Sequence, residues 1–267
     1  MFAITGVTGH VGGAAARALR EAGEPVREVV RAVADLTDRT ALAAAFTGCR
    51  GAFVLLPTIP DGDDAAHRAM AGTIAAAVAD SRVPHVVMLS SLGADLAEGT
   101  GPVRWLHHLE NLLRDTGAVV TAIRSPHFQE KVEDLLGAPV YPVFGESADV
   151  PVEMVATRDI GAAVAHALTH PPARSEVVDL EAPAYTERQV AEELGELLGE
   201  KLEVVLVTRP AWTETLTAAG IPPVLAGELA DLYDAADRGL LRPRGDRRHV
   251  CVTELRETLR EIVSAAR

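Results

Sequence analysis

Three evenly spaced glycines directly after a short apolar run open this chain. The apolar run is Phe2–Thr5, and the glycines are Gly6, Gly9 and Gly12. The residues that follow have a helical pattern whose apolar side chains share one face: Val11, Ala15, Ala18, Leu19 and Ala22. A strand that ends in such a turn and passes straight into a helix places backbone N–H groups where they can bind a phosphate.

Each glycine of the turn has a separate expected role. Gly6 allows the tight turn, Gly9 lets N–H groups approach a pyrophosphate, and Gly12 permits close packing of helix on strand. The other residues expected to border the cofactor here are Thr8, His10 and Val11. We expect His10 to contact phosphate or solvent rather than to take part in chemistry. The turn predicts a bound dinucleotide, and the alternative is a glycine turn needed only for packing.

Strand-like and helix-like runs alternate over the first two thirds of the chain. Two strands, 53–56 and 86–89, are continuously apolar, which is typical of parallel strands covered on both faces. The pattern predicts an α/β fold with a doubly wound parallel sheet of the Rossmann type. The predicted strands are 2–5, 25–30, 51–56, 85–90 and 118–124, and the predicted helices are 11–22, 38–46, 63–80 and 103–116.

The pattern loosens after Ser125 into a stretch that carries proline and glycine through Val152. We assign residues 1–125 and about 153–175 to an NAD(P)-binding domain. A smaller C-terminal substrate-binding region takes residues 126–152 and 176–267. The later predicted elements are helices at 159–169, 187–198, 221–236 and 253–265, and a strand near 177–180.

One crossover is too short for the expected plan. Two parallel strands need a connection of a dozen or more residues, yet only residues 31–34 separate the second strand from Asp35-Leu36-Thr37-Asp38. The region of the second and third strands is therefore shortened. Either an edge strand and its helix have been lost, or residues are missing at about 31–32.

The composition excludes several classes of partner. With a net charge of −13 and a pI near 5.1, the chain repels nucleic acid, and no basic cluster interrupts the acidic background. Its two cysteines, Cys49 and Cys251, lie far apart and form no metal-binding spacing. No apolar run approaches the roughly 20 residues that cross a bilayer, and no secretion signal opens the chain. We expect a cytoplasmic protein that acts on a small hydrophobic molecule without a metal.

The end of the second strand carries the expected cofactor preference. An acidic residue there would bind the ribose hydroxyls, whereas an arginine favours the 2′-phosphate. This strand runs into Arg31, which predicts NADP(H) in preference to NAD(H). The alternative is that Arg31, or the earlier Arg27, is only a surface charge.

Four segments together resemble one known family. They are Ala3-Ile4-Thr5-Gly6-Val7-Thr8-Gly9-His10-Val11-Gly12, Asp35-Leu36-Thr37-Asp38, Leu89-Ser90-Ser91-Leu92-Gly93-Ala94 and Arg158-Asp159-Ile160. Together with the order of the predicted elements in the C-terminal part of the chain, these segments resemble the NmrA-like branch of the atypical short-chain dehydrogenases/reductases. Its members include quinone and ketone reductases, isoflavone-type reductases, reductases of bacterial polyketide pathways, and regulators that bind the nucleotide without turnover.

The resemblance implies positions for residues around the cofactor. Asp35 would lie against the adenine, and Leu56 and Pro57 would lie along the cofactor. Ser90 and Ser91 would lie below the nicotinamide. The loop after the last strand of the first domain would lie beside the nicotinamide ring, through Pro126, His127 and Phe128.

The proton donor of most short-chain reductases is missing from this chain. In those enzymes, the phenol of a Tyr-x-x-x-Lys pair protonates the nascent alkoxide. The chain has three tyrosines, and none is followed four residues later by lysine: Tyr141, Tyr185 and Tyr233. The family's lysine falls near Leu106 or His107, so His107 and His108 are candidate donors. Adjacent helical side chains point about 100° apart, so at most one of them should face the nicotinamide, and the alternative for each is a packing or exposed histidine.

Ser90 and Ser91 end a buried strand at its carboxyl edge, where ligands bind in open α/β sheets. A hydroxyl there can bond a substrate carbonyl and help to stabilise developing negative charge, or it can simply face the cofactor. His127 is a third candidate for the acid. The aromatic residues that suit a flat, apolar substrate pocket, unless they form core, are Trp105, Phe128, Trp212 and Tyr233.

These observations predict an NADPH-dependent reductase of a carbonyl on a hydrophobic, aromatic, polyketide-like small molecule. The proton would come from a histidine or from the substrate itself, for instance from a phenol beside the ketone. Two alternatives stay open. One is a regulator that binds NAD(P) without catalysis, and the other is an NADPH quinone reductase.

Overall fold

A seven-stranded parallel sheet forms the centre of the protein. The structure is a computed structural model, and it describes residues 1–266. In chain order, the strands are β1 (Phe2–Thr5), β2 (Val26–Val29), β3 (Gly51–Val54), β4 (His85–Ser91), β5 (Val119–Ser125), β6 (His127–Phe128), β7 (Val140–Phe144), β8 (Val152–Val155), β9 (Glu176–Glu181), β10 (Ala184–Tyr185), β11 (Glu203–Val207) and β12 (Arg247–Val250). The helices are α1 (His10–Glu21), α2 (Arg39–Phe46), α3 (Asp64–Ser81), α4 (Val103–Arg114), α5 (Thr157–Thr169), α6 (Glu187–Leu198), α7 (Trp212–Ala218), α8 (Pro223–Asp237) and α9 (Leu255–Ala265), with short 3₁₀ segments at Gln129–Leu135 and Arg209–Ala211.

The strand order shows where a ligand site should lie. The sheet runs β12-β9-β5-β4-β3-β1-β2, and its pairings are parallel. The chain moves outward from β1 to β2, then returns to the other side of β1 with β3. In open α/β sheets, ligands bind at such a reversal, beyond the carboxyl ends of the strands. The predicted doubly wound fold of the Rossmann type is confirmed.

Apolar cores cover both faces of the central sheet. Phe2 and Ile4 of β1 pack in the core that α1 and α5 close. Ala3, between them, belongs to the opposite core, which α2, α3 and α4 close. Because successive strand residues point to opposite faces, a strand covered on both faces must be apolar throughout. This explains the unbroken apolar runs of the central strands.

A third core lies in the C-terminal half of the chain. The first 3₁₀ segment, β7, β8, α6 and α9 build it around the buried Tyr141. Two small sheets belong to this region, the parallel pair β11-β7 and the sheet β10-β8-β6. Sequence analysis missed β7 and β11, because β7 is interrupted by Pro142 and β11 is mostly exposed.

Two strands from the stretch assigned to the smaller region lie in the main sheet. They are β9 and β12, which extend the sheet beyond β5. β12 was not predicted, because an exposed edge strand that reads Arg-Arg-His-Val lacks apolar alternation. The division into two domains stays a prediction, with these two strands on the side of the main sheet.

Residues 30–38 form a turn that connects β2 directly to α2. The N–H groups of Val33 and Ala34 donate to the carbonyl of Val30 at 2.8 and 2.9 Å. The Asp38 carboxylate caps α2 by accepting from the N–H of Ala41 at 2.9 Å. In the described part of the chain, β2 is therefore an edge of the sheet. The predicted shortening of this region is confirmed.

The longest helix is α3, with 18 residues. Across residues 1–266, none of the helices combines the length and the apolar character that a membrane crossing requires.

Close packing of α1 on α5 limits the side chain at Gly161. A Cβ there would lie 2.5 Å from the Ala14 Cβ. We expect Gly161→Ala to lower the free energy of unfolding by about 1–3 kcal/mol, the usual cost of overpacking, as measured by urea denaturation. Gly72→Ala in α3 is the matched control, because nothing lies within 4 Å of its added Cβ. The control should gain about 0.5–1 kcal/mol, and equal stabilities of the two variants would contradict the close contact.

Candidate functional site

Contacts that only glycine allows shape the turn after β1. Gly6 has a φ of +65°, and a Cβ there would lie 2.7 Å from Leu55 Cδ2. A Cβ on Gly12 would lie 2.3 Å from the carbonyl oxygen of Gly6. Gly6 thus makes the turn, and Gly12 lets α1 lie against the end of β1.

Gly9 faces open space instead. An added Cβ would meet only the Gly6 carbonyl oxygen, at an ordinary 3.5 Å. Gly9 begins α1, where no side chain caps the helix and no acidic residue lies in the first turn. The first N–H groups of α1 are therefore open to an anion, which the positive end of the helix dipole favours. A dinucleotide pyrophosphate fits this cradle, which His10 and Val11 continue.

Thr8 and His10 are exposed at the mouth of the turn. The His10 Nε2 lies 3.2 Å from the carboxylate of Glu133 in the first 3₁₀ segment. This contact links the phosphate cradle to the C-terminal region.

Arg31 and Asp35 lie in the turn that leads to α2. The Asp35 carboxylate accepts from the N–H and the hydroxyl of Thr37 at 2.9 and 2.7 Å, and these bonds hold its pKa below the usual range. The exposed Arg31 guanidinium lies 3.6 Å from the same carboxylate. Arg27 donates to two carbonyl groups at the end of α2. Of the two arginines, Arg31 is therefore the one that solvent and a phosphate can reach.

A cleft of about 280 Å³ lies at the carboxyl ends of β3, β4 and β5. Leu55 connects it to the glycine turn, because the Leu55 side chain also packs against Gly6. Most of its walls are apolar. The lining residues are Leu55, Leu56, Pro57, Leu89, Ser90, Ser91, Leu106, Ser125, Pro126 and Phe128. Six of the predicted site residues thus come together here: Leu56, Pro57, Ser90, Ser91, Pro126 and Phe128.

Three hydroxyl groups line the cleft, and each donates its proton to the protein. Ser90 donates to a carboxylate at 2.6 Å. Ser91 and Ser125 donate to the carbonyl groups of the residues that follow them, at 3.1 and 2.8 Å. A hydroxyl has one proton and two lone pairs. In this arrangement, the cleft hydroxyls offer lone pairs but no proton to a bound molecule.

The carboxylate that accepts the Ser90 proton belongs to Glu110 of α4, which is 1 % exposed. It accepts two bonds from the buried Arg124 of β5, at 2.9 and 2.8 Å, and one from Arg114 at 3.1 Å. Sequence analysis missed this pair. The sequence does carry a signal for it, since Glu110 and Arg124 each lie within an apolar pattern. Charged side chains are rarely buried unless they are paired, so two such charges indicate a buried ion pair.

The helix that carries the two adjacent histidines turns Leu106, rather than either histidine, toward the cleft. The His107 ring nitrogens lie 2.9 Å from a backbone carbonyl and 2.9 Å from the Asn111 amide. His108 lies near Arg68 of α3, and burial and that guanidinium lower its pKa. At most one of the pair was expected to face the nicotinamide, and neither histidine lines the cleft, because the helix presents the preceding residue there. A catalytic role for either histidine stays a prediction.

The four predicted aromatic residues lie in different places. Phe128 lines the cleft. Trp105 is buried and stacks on His67, with 3.5 Å between ring centroids, so it is core and has no face toward the cleft. Trp212, also buried, packs edge-on against Tyr233 at 5.9 Å in the C-terminal region. Tyr233 is the partly exposed member of that pair.

His127 lies next to Phe128 in β6 but is not among the cleft-lining residues. Burial, and then the nearby Lys131 ammonium, lower its pKa to about 4. Lys131 pairs with Glu187, which also accepts from the Tyr141 hydroxyl at 2.7 Å. A neutral imidazole can hydrogen-bond a ligand, but it is not an imidazolium acid at neutral pH.

Comparison with known proteins establishes the family. Residues 27–171, more than half of the chain, match the family model described as NAD(P)H-binding. The chain therefore belongs to this NAD(P)H-binding family, which agrees with the open cradle at the start of α1.

Several characterised proteins are similar over nearly the whole chain. The NAD(P)H azoreductase of Xenophilus azovorans is 26% identical over 256 residues, covering 88% of this chain and 87% of that protein. The NADPH-dependent quinone oxidoreductase of Escherichia coli, solved with NADPH, has a TM-score of 0.77 at 21% identity, over 98% of this chain and 99% of that one. The triphenylmethane reductase of Citrobacter sp. has a TM-score of 0.76 at 21% identity, with the same coverage. These structures share the fold.

Two glycine substitutions separate cofactor binding from folding. We expect Gly9→Ala to leave the melting temperature nearly unchanged, since its Cβ has room, yet to weaken NADPH binding by about tenfold, or ~1.4 kcal/mol, because the methyl group enters the phosphate cradle. Gly12→Ala should lower both the melting temperature and the affinity for NADPH, because its Cβ overlaps the Gly6 carbonyl. Calorimetric titration with NADPH and thermal unfolding measure the two effects. Unchanged binding by the Gly9 variant would count against the cradle.

Two histidines with lowered pKa values make folding sensitive to mild acid. Burial is the main reason why the pKa values of His85 and His127 fall to about 4, whereas an unfolded histidine has a pKa of about 6.5. Between these values the unfolded chain binds protons that the folded chain does not, so stability falls as the pH decreases. We expect His127→Gln to remove about one proton from the slope of unfolding free energy against pH between about 5 and 6. A slope equal to that of the wild type would contradict the lowered pKa.

Proposed function

We propose that the protein is an NADPH-dependent reductase that delivers hydride to a flat, hydrophobic, conjugated carbonyl compound. The observation that carries the proposal is an apolar cleft beside a phosphate cradle, in which the protons of all three lining hydroxyls are already donated to the protein.

Because no hydroxyl of the cleft has a free proton to donate, the protein favours a particular class of hydride acceptor. A bound nicotinamide supplies the hydride, and negative charge then develops on the acceptor. An isolated ketone would concentrate this charge on one oxygen and would need an acid beside it. A quinone spreads the charge over its conjugated ring and can take its proton from water. An aromatic ketone with a neighbouring phenol, as in bacterial polyketides, can take the proton from that phenol.

The protein's own contribution is then mainly positioning. The apolar walls, among them Leu56, Leu106 and Phe128, orient a flat ring and exclude water. The lone pairs of Ser91 and Ser125 can accept from a substrate hydroxyl. His127, Trp212 and Tyr233 belong to the substrate side in this proposal, which assigns substrate binding to residues 126–152 and 176–267.

The cofactor preference follows from the exposed turn after β2. Arg31 is exposed and contacts Asp35 only at 3.6 Å, so its guanidinium can reach a 2′-phosphate, and Asp35 would lie against the adenine. This arrangement supports NADP(H) over NAD(H). The similar proteins are named as an azoreductase, a quinone oxidoreductase and a triphenylmethane reductase, and these names support a conjugated acceptor.

NADPH oxidation, followed by its near-ultraviolet absorbance, tests the proposal. Quinones and polycyclic aromatic ketones serve as acceptors, with NADH measured in parallel. We expect turnover with at least one conjugated acceptor and a preference for NADPH. Tight binding of NADPH without oxidation by any acceptor would instead support a regulator that binds the nucleotide.

Adjacent positions on α4 provide a matched test of the cleft. We expect His107→Gln and His108→Gln to keep turnover within a few-fold, because neither side chain lines the cleft. Leu106→Trp should lower it sharply, because the larger ring projects into a cleft of only about 280 Å³. Steady-state rates with a fixed acceptor measure both effects. A loss of about a hundredfold in a histidine variant, the size of a general-acid contribution, would restore that histidine as the acid.

A further inference from the structure

The Ser90 hydroxyl is held by a charge, unlike the other two hydroxyls of the cleft. Ser91 and Ser125 each donate only to the neutral carbonyl of the next residue. Ser90 donates to Glu110, a side chain 20 positions along the chain, at 2.6 Å. Hydrogen bonds to a charged acceptor are shorter and about twice as strong as neutral ones. The direction of the Ser90 proton is therefore fixed.

Arg124 holds the Glu110 carboxylate toward Ser90, and the exposed Arg114 adds one outer bond. Arg124 binds both carboxylate oxygens, and Arg114 binds one of them. Arg124 is itself buried, with the Asp95 carboxylate at 3.9 Å on its far side. A carboxylate accepts and never donates, so this arrangement leaves the Ser90 proton on the Glu110 side and its lone pairs on the cleft side.

A nicotinamide carries a donor that such an acceptor suits. Its carboxamide has an NH₂ group, which loses stability in an apolar cleft unless a fixed acceptor meets it. The walls here are chiefly leucine, proline and phenylalanine side chains. Ser90, next to the last residue of β4, is one of the lining residues, and its bond to Glu110 holds its lone pairs in place.

We propose that Glu110 is a positioning residue that fixes Ser90 as the hydrogen-bond acceptor for the nicotinamide carboxamide. The inference rests on the proposed function in one respect, that the nicotinamide half of the cofactor enters this cleft. It assigns Ser90 to orientation of the ring and removes it from the candidate proton donors.

Binding of two ligands tests this inference without any turnover. The ligands are NADPH and 2′-phospho-ADP-ribose, which lacks the nicotinamide, and the quantity is the ratio of their dissociation constants from calorimetric titration. We expect the wild type to bind NADPH more tightly. Ser90→Ala should reduce this preference by about three- to tenfold, the range of one hydrogen bond, and leave binding of 2′-phospho-ADP-ribose unchanged.

Glu110→Gln tests the positioning role itself. The amide NH₂ of glutamine would donate to Ser90 and occupy a lone pair, so the same reduction is expected. Because both residues act through one bond, the double variant should lose no more than either single variant. The fluorescence of bound NADPH, which reports the surroundings of the nicotinamide, should change in the two single variants alike. Arg114→Ala is the matched control, since it removes the outer arginine and leaves the Ser90–Glu110–Arg124 chain intact.

Several results would overturn the inference. If the wild type bound NADPH and 2′-phospho-ADP-ribose equally well, the nicotinamide would not bind in the cleft. If Ser90→Ala kept the wild-type preference for NADPH, Ser90 would not bond the carboxamide. If the losses added up in the double variant, Ser90 and Glu110 would not act through one bond. If Glu110→Gln weakened the binding of both ligands to the same extent, the role of Glu110 would be structural. Should that variant fail to fold, Ser90→Ala and Ser90→Thr, which keeps the hydroxyl, decide the matter. Absence of reductase activity is a separate result, since none of these measurements depends on it.

Discussion

Helix α1 lies closer to its neighbours than side chains would allow, and the rest of the cofactor site depends on this approach. Gly12 brings the helix against the Gly6 carbonyl, and Gly161 brings α5 against Ala14. The helix is thereby held with its N-terminal N–H groups beyond the end of β1. The same Gly6 packs against Leu55, so the phosphate cradle and the apolar cleft are parts of one surface.

The other end of this surface is built around buried charge. Glu110 and Arg124 join α4 to β5 directly beneath the carboxyl end of β4. The network continues outward, because Asp95 lies 3.9 Å from Arg124 and also accepts from Arg244 at 2.6 Å. Residues of the late chain thus help to hold the floor of the cleft. Burying such a pair costs desolvation, and the structure uses it to give one hydroxyl a defined direction.

Much of the fold could be predicted because local signals agree with the tertiary structure. Asp38 and Asp63 cap α2 and α3 where the patterns begin, and α6 has its predicted bounds, with a capping box at Thr186. The glycine spacing likewise determines local geometry. By contrast, β11 and β12 are exposed edge strands, so no burial pattern is imposed on their residues. The partner of Ser90 could not be predicted, since the bond joins different elements. The sequence pattern also does not determine the rotation of α4, which turns Leu106 toward the cleft.

The turn at residues 30–38 makes the two ends of the cofactor site unequal in their freedom to evolve. Arg31 and Asp35 lie on a loop outside the sheet, where a change of charge disturbs no core. Ser90, Glu110 and Arg124 are buried, and a change in one removes a hydrogen bond from another. In the proposed site, discrimination between phosphorylated and unphosphorylated dinucleotides can therefore drift by single surface substitutions, whereas the proposed nicotinamide end can change only through several substitutions made together.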